Sequence, residues 1–197
     1  MALELSDDES NTYAEFILGL PGETRTSHQQ GVLQAVDLGF NQIRMHQLTL
    51  LPGSEMDTPK QRAMHGLHTQ HRILQRSFGR YPFLWSDLDI IETEEVVTRN
   101  GSMSWNDYIY CRTFALTVAL FYNERVFSEV QGYIEFSRLK YSDFLQALHE
   151  WIMEDVALGA PDVITQEYAR FIREAKDELH PSLEVLAMRA SIPDQHL

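Results

Sequence analysis

The stretch Tyr13-Ala14-Glu15-Phe16-Ile17-Leu18-Gly19-Leu20-Pro21-Gly22-Glu23-Thr24 decides the fold. Ala14 to Leu18 is short and nearly apolar, as expected of a strand covered on both faces in a parallel α/β sheet. Gly19 and Gly22 open backbone conformations closed to other residues and allow a ligand close to the main chain. Thr24 is placed to accept a hydrogen bond from the free N–H groups that begin the next helix. Ligands of α/β folds lie beside such carboxyl ends of strands. A glycine-rich turn alone also reads as a purely structural device, so the rest of the chain has to decide between the two.

Working outward, a helix is expected from about Thr26 to Leu38, with Val32, Leu33, Ala35 and Val36 as its apolar stripe and Gly39 as its stop. A strand follows from about Gln42 to Leu50 and ends in Leu51-Pro52-Gly53-Ser54, a second turn at a strand's carboxyl end. Residues 12 to 54 therefore read as one β-α-β unit with parallel strands and a right-handed connection. Two strands cannot bury both their faces, and the remainder reads as mostly helical. The expectation is a carboxyl-terminal portion of a larger protein, or a truncation of one.

Beyond Asp57, Thr58-Pro59 caps and opens a helix that the pattern extends to about Phe78, with Gly79 as its stop. Tyr81-Pro82-Phe83-Leu84-Trp85 reads as an irregular aromatic segment packed on the domain, and Ile90 to Thr98 as a strand ended by Asn100-Gly101. Ser104 and Asp107 form a variant capping box for a long helix from Trp105 towards Phe127. Ser142 is expected to cap a helix from Asp143 to Leu158, stopped by Gly159, and Pro161 to open another reaching about Leu179. Residues 1–11 and the tail from Ser191 read as poorly ordered. The division is residues 1–56, α/β, and residues 57–197, mainly α-helical.

The 197 residues carry a net charge of −13, and neither Lys nor Arg gathers into a stripe, which argues against a nucleic-acid partner. The single cysteine, Cys111, excludes an internal disulfide and a cysteine-rich metal site, and favours a reducing, cytoplasmic setting. The acidic beginning lacks the features of a signal peptide. The longest apolar run, Phe114 to Tyr122, is too short for a bilayer, so no membrane role is expected.

Glu15-x-Ile17-x-Gly19-Leu20-Pro21-Gly22-Glu23-Thr24 resembles the fifth-strand motif of radical S-adenosylmethionine (radical SAM) enzymes, most closely the branch that often carries a cobalamin-binding domain. Leu48-Thr49-Leu50-Leu51-Pro52-Gly53-Ser54-Glu55-Met56 resembles that family's sixth strand and its exit. Two motifs joined by one helix are more specific than either alone, and the resemblance covers about residues 12 to 56. It implies the end of a partial TIM-type (β/α) barrel of six strands. It also implies SAM bound to a four-iron, four-sulfur (4Fe-4S) cluster, cleavage of SAM to a 5′-deoxyadenosyl radical, and an organic small-molecule substrate, and it leaves a cobalamin requirement open. Ile17 would lie against the adenine ring, Gly19 would leave it room, Pro21 and Gly22 would shape the turn with Leu20, and Glu15 would point towards SAM or substrate. In the sixth strand Leu48 and Leu50 would share the same face, with His46 where relatives often have tyrosine. Strand alternation puts Glu15, Ile17 and Gly19 on one face.

The cluster requires three closely spaced thiolates, which one cysteine cannot provide. The chain by itself is therefore expected to be inactive, with no catalytic residue of its own assigned, and to be the adenosine side of a site completed by the parent enzyme. Such a fragment is expected to self-associate through its uncovered strand flanks. The rival reading is a non-catalytic helical interaction module with a vestigial β-α-β unit.

Other candidates have simpler readings. His65, His68 and His71 would share roughly 120° of one helix surface, but no companion motif makes a metal site of them, and no metal residue is assigned. His46 reads as a core histidine. Glu15 on a buried strand would need a partner or a ligand, because burying a lone carboxylate is costly. Cys111 reads as core packing despite its neighbour Arg112, as does the face of Met103, Trp105, Tyr108, Tyr110, Phe114 and Phe121. Glu92-Thr93-Glu94-Glu95 reads as a solvated strand edge or loop.

Overall fold

A computed structural model describes residues 12–123 and 126–190, so both tails expected to be poorly ordered lie outside the described residues. The β-α-β unit forms as strand β1 (Tyr13–Leu18), helix α1 (Arg25–Asp37) and strand β2 (Gln42–Gln47). The strands pair in parallel, with Tyr13 opposite Gln42 and Leu18 opposite Gln47. Thr24 caps α1 by accepting from Ser27 N at 3.1 Å, while the Ser27 hydroxyl accepts from Thr24 N at 2.9 Å. Gly39, at φ +76°, reverses the chain after α1.

Among the described residues only one face of this small sheet is covered. Ala14, Phe16, Ile43 and Met45 pack into a core with Val32, Ala35 and Val36 of α1 and with Phe114, Val118 and Leu145 further along. Tyr13, Glu15 and Ile17 point the other way, level with Gln42, Arg44 and His46, and Ile17 is 43% exposed. The expectation of a strand covered on both faces is corrected here, because the run's alternate positions include Tyr13 and Glu15.

The largest departure from the sequence reading lies between residues 59 and 99. Helix α2 (Pro59–His65) is capped by Thr58 as expected but ends at Gly66, which has left-handed φ +58°. The chain then runs as β3 (His68–Phe83) and β4 (Ser86–Arg99), a long antiparallel hairpin. The helix expected to reach Phe78 is thus a strand, and Gly79 lies within it. Tyr81 to Trp85 form the exposed end of the hairpin, where Leu84 takes φ +54° and Trp85 is 98% exposed, instead of packing on the domain.

The far end of β4 returns to the β-α-β unit. Leu50 N donates to Glu95 O and Val97 N to Leu48 O, both at 2.8 Å, so β4 takes over the edge that β1 leaves at Gly19. Helix α3 (Trp105–Val118) follows the expected Ser104–Asp107 capping box, and a π-helical turn (Ala119–Asn123) ends it before Phe127. The chain closes with α4 (Ser128–Phe136), α5 (Tyr141–Leu158), α6 (Val163–Asp177) and α7 (Leu183–Ala190). Ser142 is buried inside α5 and does not cap it, whereas Asp162, not Pro161, begins α6 by accepting from Thr165 N at 2.9 Å.

Leu18, Val96, Met103, Tyr108, Ile109, Cys111 and Leu179 form a second core, which joins the hairpin's base to the helices. A chain of ion pairs, Glu94–Arg72–Glu178–Arg112, runs alongside it at 2.5, 3.0 and 2.5 Å. The architecture is an α/β start followed by a helical part, with a hairpin between them. Among the described residues no helix is long and apolar enough to cross a membrane.

Candidate functional site

The turn Gly19–Glu23 is held from two directions. Its glycines take φ +98° and +84°, which other residues adopt only under strain. A Cβ on Gly19 would lie 3.4 Å from Val97 O and 3.8 Å from Leu48 Cβ, so the approach of β4 and of the chain after β2 fills the space beside it. From inside the turn, the Glu23 carboxylate accepts from Gly19 N at 3.3 Å and meets His28 Nδ1 at 2.9 Å. From outside, Asn100 Nδ2 donates to Gly19 O at 2.8 Å and to Leu20 O at 3.3 Å, and the Ser102 hydroxyl donates to Glu23 O at 2.7 Å. Asn100 Oδ1 in turn accepts from Ser102 N and Met103 N. A single asparagine therefore locks its own loop and the motif turn together.

Ile17 and Gly19 stand at the carboxyl end of β1 and Leu48 just beyond β2, with its Cβ 3.8 Å from where a Cβ on Gly19 would be, and Leu20, Pro21 and Gly22 form the adjoining turn, while Glu15 lies in mid-strand opposite Arg44. Leu18 O accepts from Leu48 N at 2.9 Å, which ties the two strand ends together. Leu50 is buried instead of lining the open face. Glu15 is half exposed and lies 3.8 Å from His46 Nε2, itself 57% exposed. Neither the burial argument for Glu15 nor the core reading of His46 applies, since both stand on the open side of the sheet.

The remaining candidates separate. His65 ends α2 while His68 and His71 lie in β3, so no helix face unites them. Among the described residues no group of three His, Cys, Asp or Glu side chains is placed to hold a metal ion. Cys111 is buried, and burial pushes its thiol up to about 12, far from a reactive thiolate. Glu94 and Glu95 are not a solvated edge. Glu94 holds Arg72 at 2.5 Å, and Glu95 pairs with Arg62 at 2.7 Å and accepts from Thr69, which lowers its carboxyl below the ordinary range.

Three structural residues escaped the sequence reading. Glu23 stood within the motif without a role, and its coupling to His28 spans five residues, one helical turn away. Asn100 and Asn123 are long-range partners of residues about eighty positions distant, and no local pattern marks them.

No family model matches the chain. It is similar over 186 residues, 93% of its length, to the 2-(S-pantetheinyl)-carbapenam-3-carboxylate methyltransferase of Streptantibioticus cattleyicolor, with 26% identity. It is similar over 188 residues, again 93% of its length, to the cobalamin-dependent radical SAM methyltransferase TokK of Streptomyces tokunonensis, with 27% identity. In both, the chain spans 26% of the relative. The resemblance to the cobalamin-associated branch of the radical SAM enzymes thus holds over nearly the whole chain, far beyond the two motifs.

Proposed function

We propose that this chain, related to the cobalamin-dependent branch of radical SAM enzymes, supplies the adenosine side of the SAM site in a methyltransferase acting on an organic substrate. The observation that carries the reading is the open sheet face at the ends of two parallel strands. There Glu15, Ile17 and His46 stand exposed beside a glycine turn locked by Glu23 and Asn100. In this reading residues 1–56 are the last two strands of a partial barrel, residues 57–197 are an extension packed against them, and the enzyme works in the cytoplasm.

The residues fit adenosine and not the cluster. An exposed apolar side chain, Ile17, gives a flat ring something to lie on, and the fixed turn presents main-chain groups at its edge. One buried cysteine whose thiol is pushed up to about 12 offers no comparable place for iron, so the cluster and cobalamin would be held outside this chain. The bound cofactor would supply an adenosyl group. The chain's own residues would exclude water from one ring face (Ile17), hold the turn's shape by fixing Gly19 N–H (Glu23), and offer two exposed polar side chains at the rim (Glu15 and His46). Alone, the chain would bind weakly and perform no chemistry.

The test is a ¹H–¹⁵N titration of the chain with 5′-deoxyadenosine up to about 10 mM, since half a site should give millimolar affinity. Saturable shifts at Ile17, Gly19 and Leu48 that vanish in Ile17→Glu are expected. Their absence in the unmodified chain would overturn the reading.

A further inference from the structure

Among the described residues, the distal half of the hairpin, residues 79–90, takes no part in either core. Tyr81 pairs opposite Leu88, Gly79 opposite Ile90 and Phe83 opposite Ser86, so side-chain alternation puts these positions on one face. Arg80 opposite Asp89, and Pro82 opposite Asp87, occupy the other face, where Arg80 Nε meets Asp89 at 2.7 Å. One face of the distal hairpin is therefore uncharged and the other is polar.

The uncharged face is open. Tyr81, Phe83, Leu88 and Ile90 are 39–60% exposed. The Tyr81 ring folds back over Gly79, where a Cβ would come within 2.9 Å of it, so the aromatic lies low along the strand. Leu84 and Trp85 add an exposed apolar tip. Taking about 150–250 Å² for a whole aromatic side chain, the apolar surface left to water over face and tip comes to roughly 700 Å². That exceeds the largest apolar patch of a typical monomer, about 300–600 Å². It approaches the area of about 800 Å² that each partner gives to a standard interface. A two-stranded ribbon is also marginal in water unless its apolar face is packed. The distal hairpin is built to be covered.

Charge decides what covers it. The chain carries a net charge of −13, and the distal hairpin adds Asp87 and Asp89 against one arginine, Arg80, so an anionic lipid surface would repel it. The open face holds no charge with which to select an oppositely charged partner. What fits it is an equally uncharged apolar face, and a second copy brings one. Two bodies of like charge repel, and contact through their projecting hairpins keeps them apart. A two-fold axis at this face needs no further patch, because the same residues serve both sides.

We propose that the chain forms a two-fold dimer in which the uncharged hairpin faces pack on each other as two layers about 10 Å apart, with Leu84 and Trp85 closing over the partner's strands. The inference is independent of the adenosine reading. It places self-association on the hairpin and not on the uncovered flanks of β1 and β2.

The experiment follows the mass of the full chain by sedimentation velocity from about 1 to 100 µM, which reaches the weak end for interfaces of this size. Hydrogen exchange at both extremes locates the contact. A dimer is expected at the higher concentrations, with concentration-dependent protection across residues 79–90. Leu88→Lys puts a like charge from each copy into the face and should weaken dimerisation about 100-fold or more. Phe83→Ser, at an exposed position, removes an anchor and should weaken it about 10-fold or more. Tyr13→Gln, on the open flank of β1, should leave it unchanged. If Leu88→Lys does not fold, Phe83→Ser decides. A monomer throughout the range, a dimer insensitive to both hairpin substitutions, or a dimer lost in Tyr13→Gln would overturn the proposal. So would a monomer captured by phosphatidylcholine–phosphatidylserine vesicles, which would give the face to a membrane.

Discussion

Replacing Asn100 with alanine should loosen the motif turn more than any other single surface-loop change. The side chain makes four hydrogen bonds: two as donor, to Gly19 O and Leu20 O, and two as acceptor, from Ser102 N and Met103 N. Not all four count equally. Leu20 is exposed and Ser102 keeps its bond to Glu23 O, so those groups find water or another partner. Gly19 and Met103 are buried, which leaves one carbonyl and one N–H orphaned. Each orphaned buried group costs about 1–3 kcal/mol, so the expected loss for the two is about 2–6 kcal/mol. Urea unfolding measures the total, and amide exchange at Gly19 and Glu23 shows where it falls. Asn100→Asp should be at least as damaging, because a carboxylate oxygen replaces the donor facing Gly19 O. Ser102→Ala should cost only about 1 kcal/mol. An Asn100→Ala protein within about 0.5 kcal/mol of the parent, with unchanged exchange at Gly19, would refute the reasoning.

How much of this was legible in the sequence differs by element. The β-α-β unit was readable because each of its signals is local: an apolar run, a glycine turn, a hydroxyl cap, a terminal glycine. The caps at Thr24, Thr58 and Ser104 were readable for the same reason. The hairpin was not. Leu67, Leu74 and Phe78 recur at intervals of seven and four, which imitates one face of a helix, and Gly66 was passed over in favour of Gly79 as the stop. The hairpin's reversal at Leu84-Trp85 has none of the Asn-Gly or Asp-Gly chemistry that marks tight turns. Pairing between β3 and β4, and of β4 with residues 48 to 50, supplies what local preference withholds.

Around the candidate site, side-chain alternation was legible but the cover of the strands was not. Alternation placed Glu15 and Ile17 together correctly, yet the apolar run suggested cover on both faces, when the described helices cover only one. The residues that fix the turn's geometry come from beyond the hairpin, and their side chains do at a distance what Thr24 does locally. The separation of about eighty residues between Asn100 and Gly19 follows from β4 returning to the sheet, so missing the hairpin concealed the bracket as well.

Two further outcomes follow from buried polar groups. Asn123→Leu should cost about 2–4 kcal/mol in chemical denaturation, because Ile43 is buried and both its outward main-chain groups lose their partner; a change under about 0.5 kcal/mol would show the edge to be paired otherwise. His149 should make the protein acid-sensitive. It is fully buried, with Nδ1 2.8 Å from the Thr117 hydroxyl, which also meets Tyr168 OH at 2.8 Å, and with Tyr110 and Phe114 edge-on to its ring. Burial, and then the charge of Arg25, push it down from 6.5 to about 4. The charged form is the one the folded state resists, so this contribution is intact above about pH 6.5 and is lost as pH falls from there through about 4. The full difference is on the order of 3 kcal/mol. Acidic side chains such as Glu95, held below their ordinary range by Arg62, also weaken the fold on the acid side. The diagnostic is therefore the difference in unfolding free energy between the parent and His149→Gln, measured from pH 7.5 to 4.5. That difference should shrink steadily as pH falls; a difference independent of pH would mean that His149 is not held neutral by its surroundings.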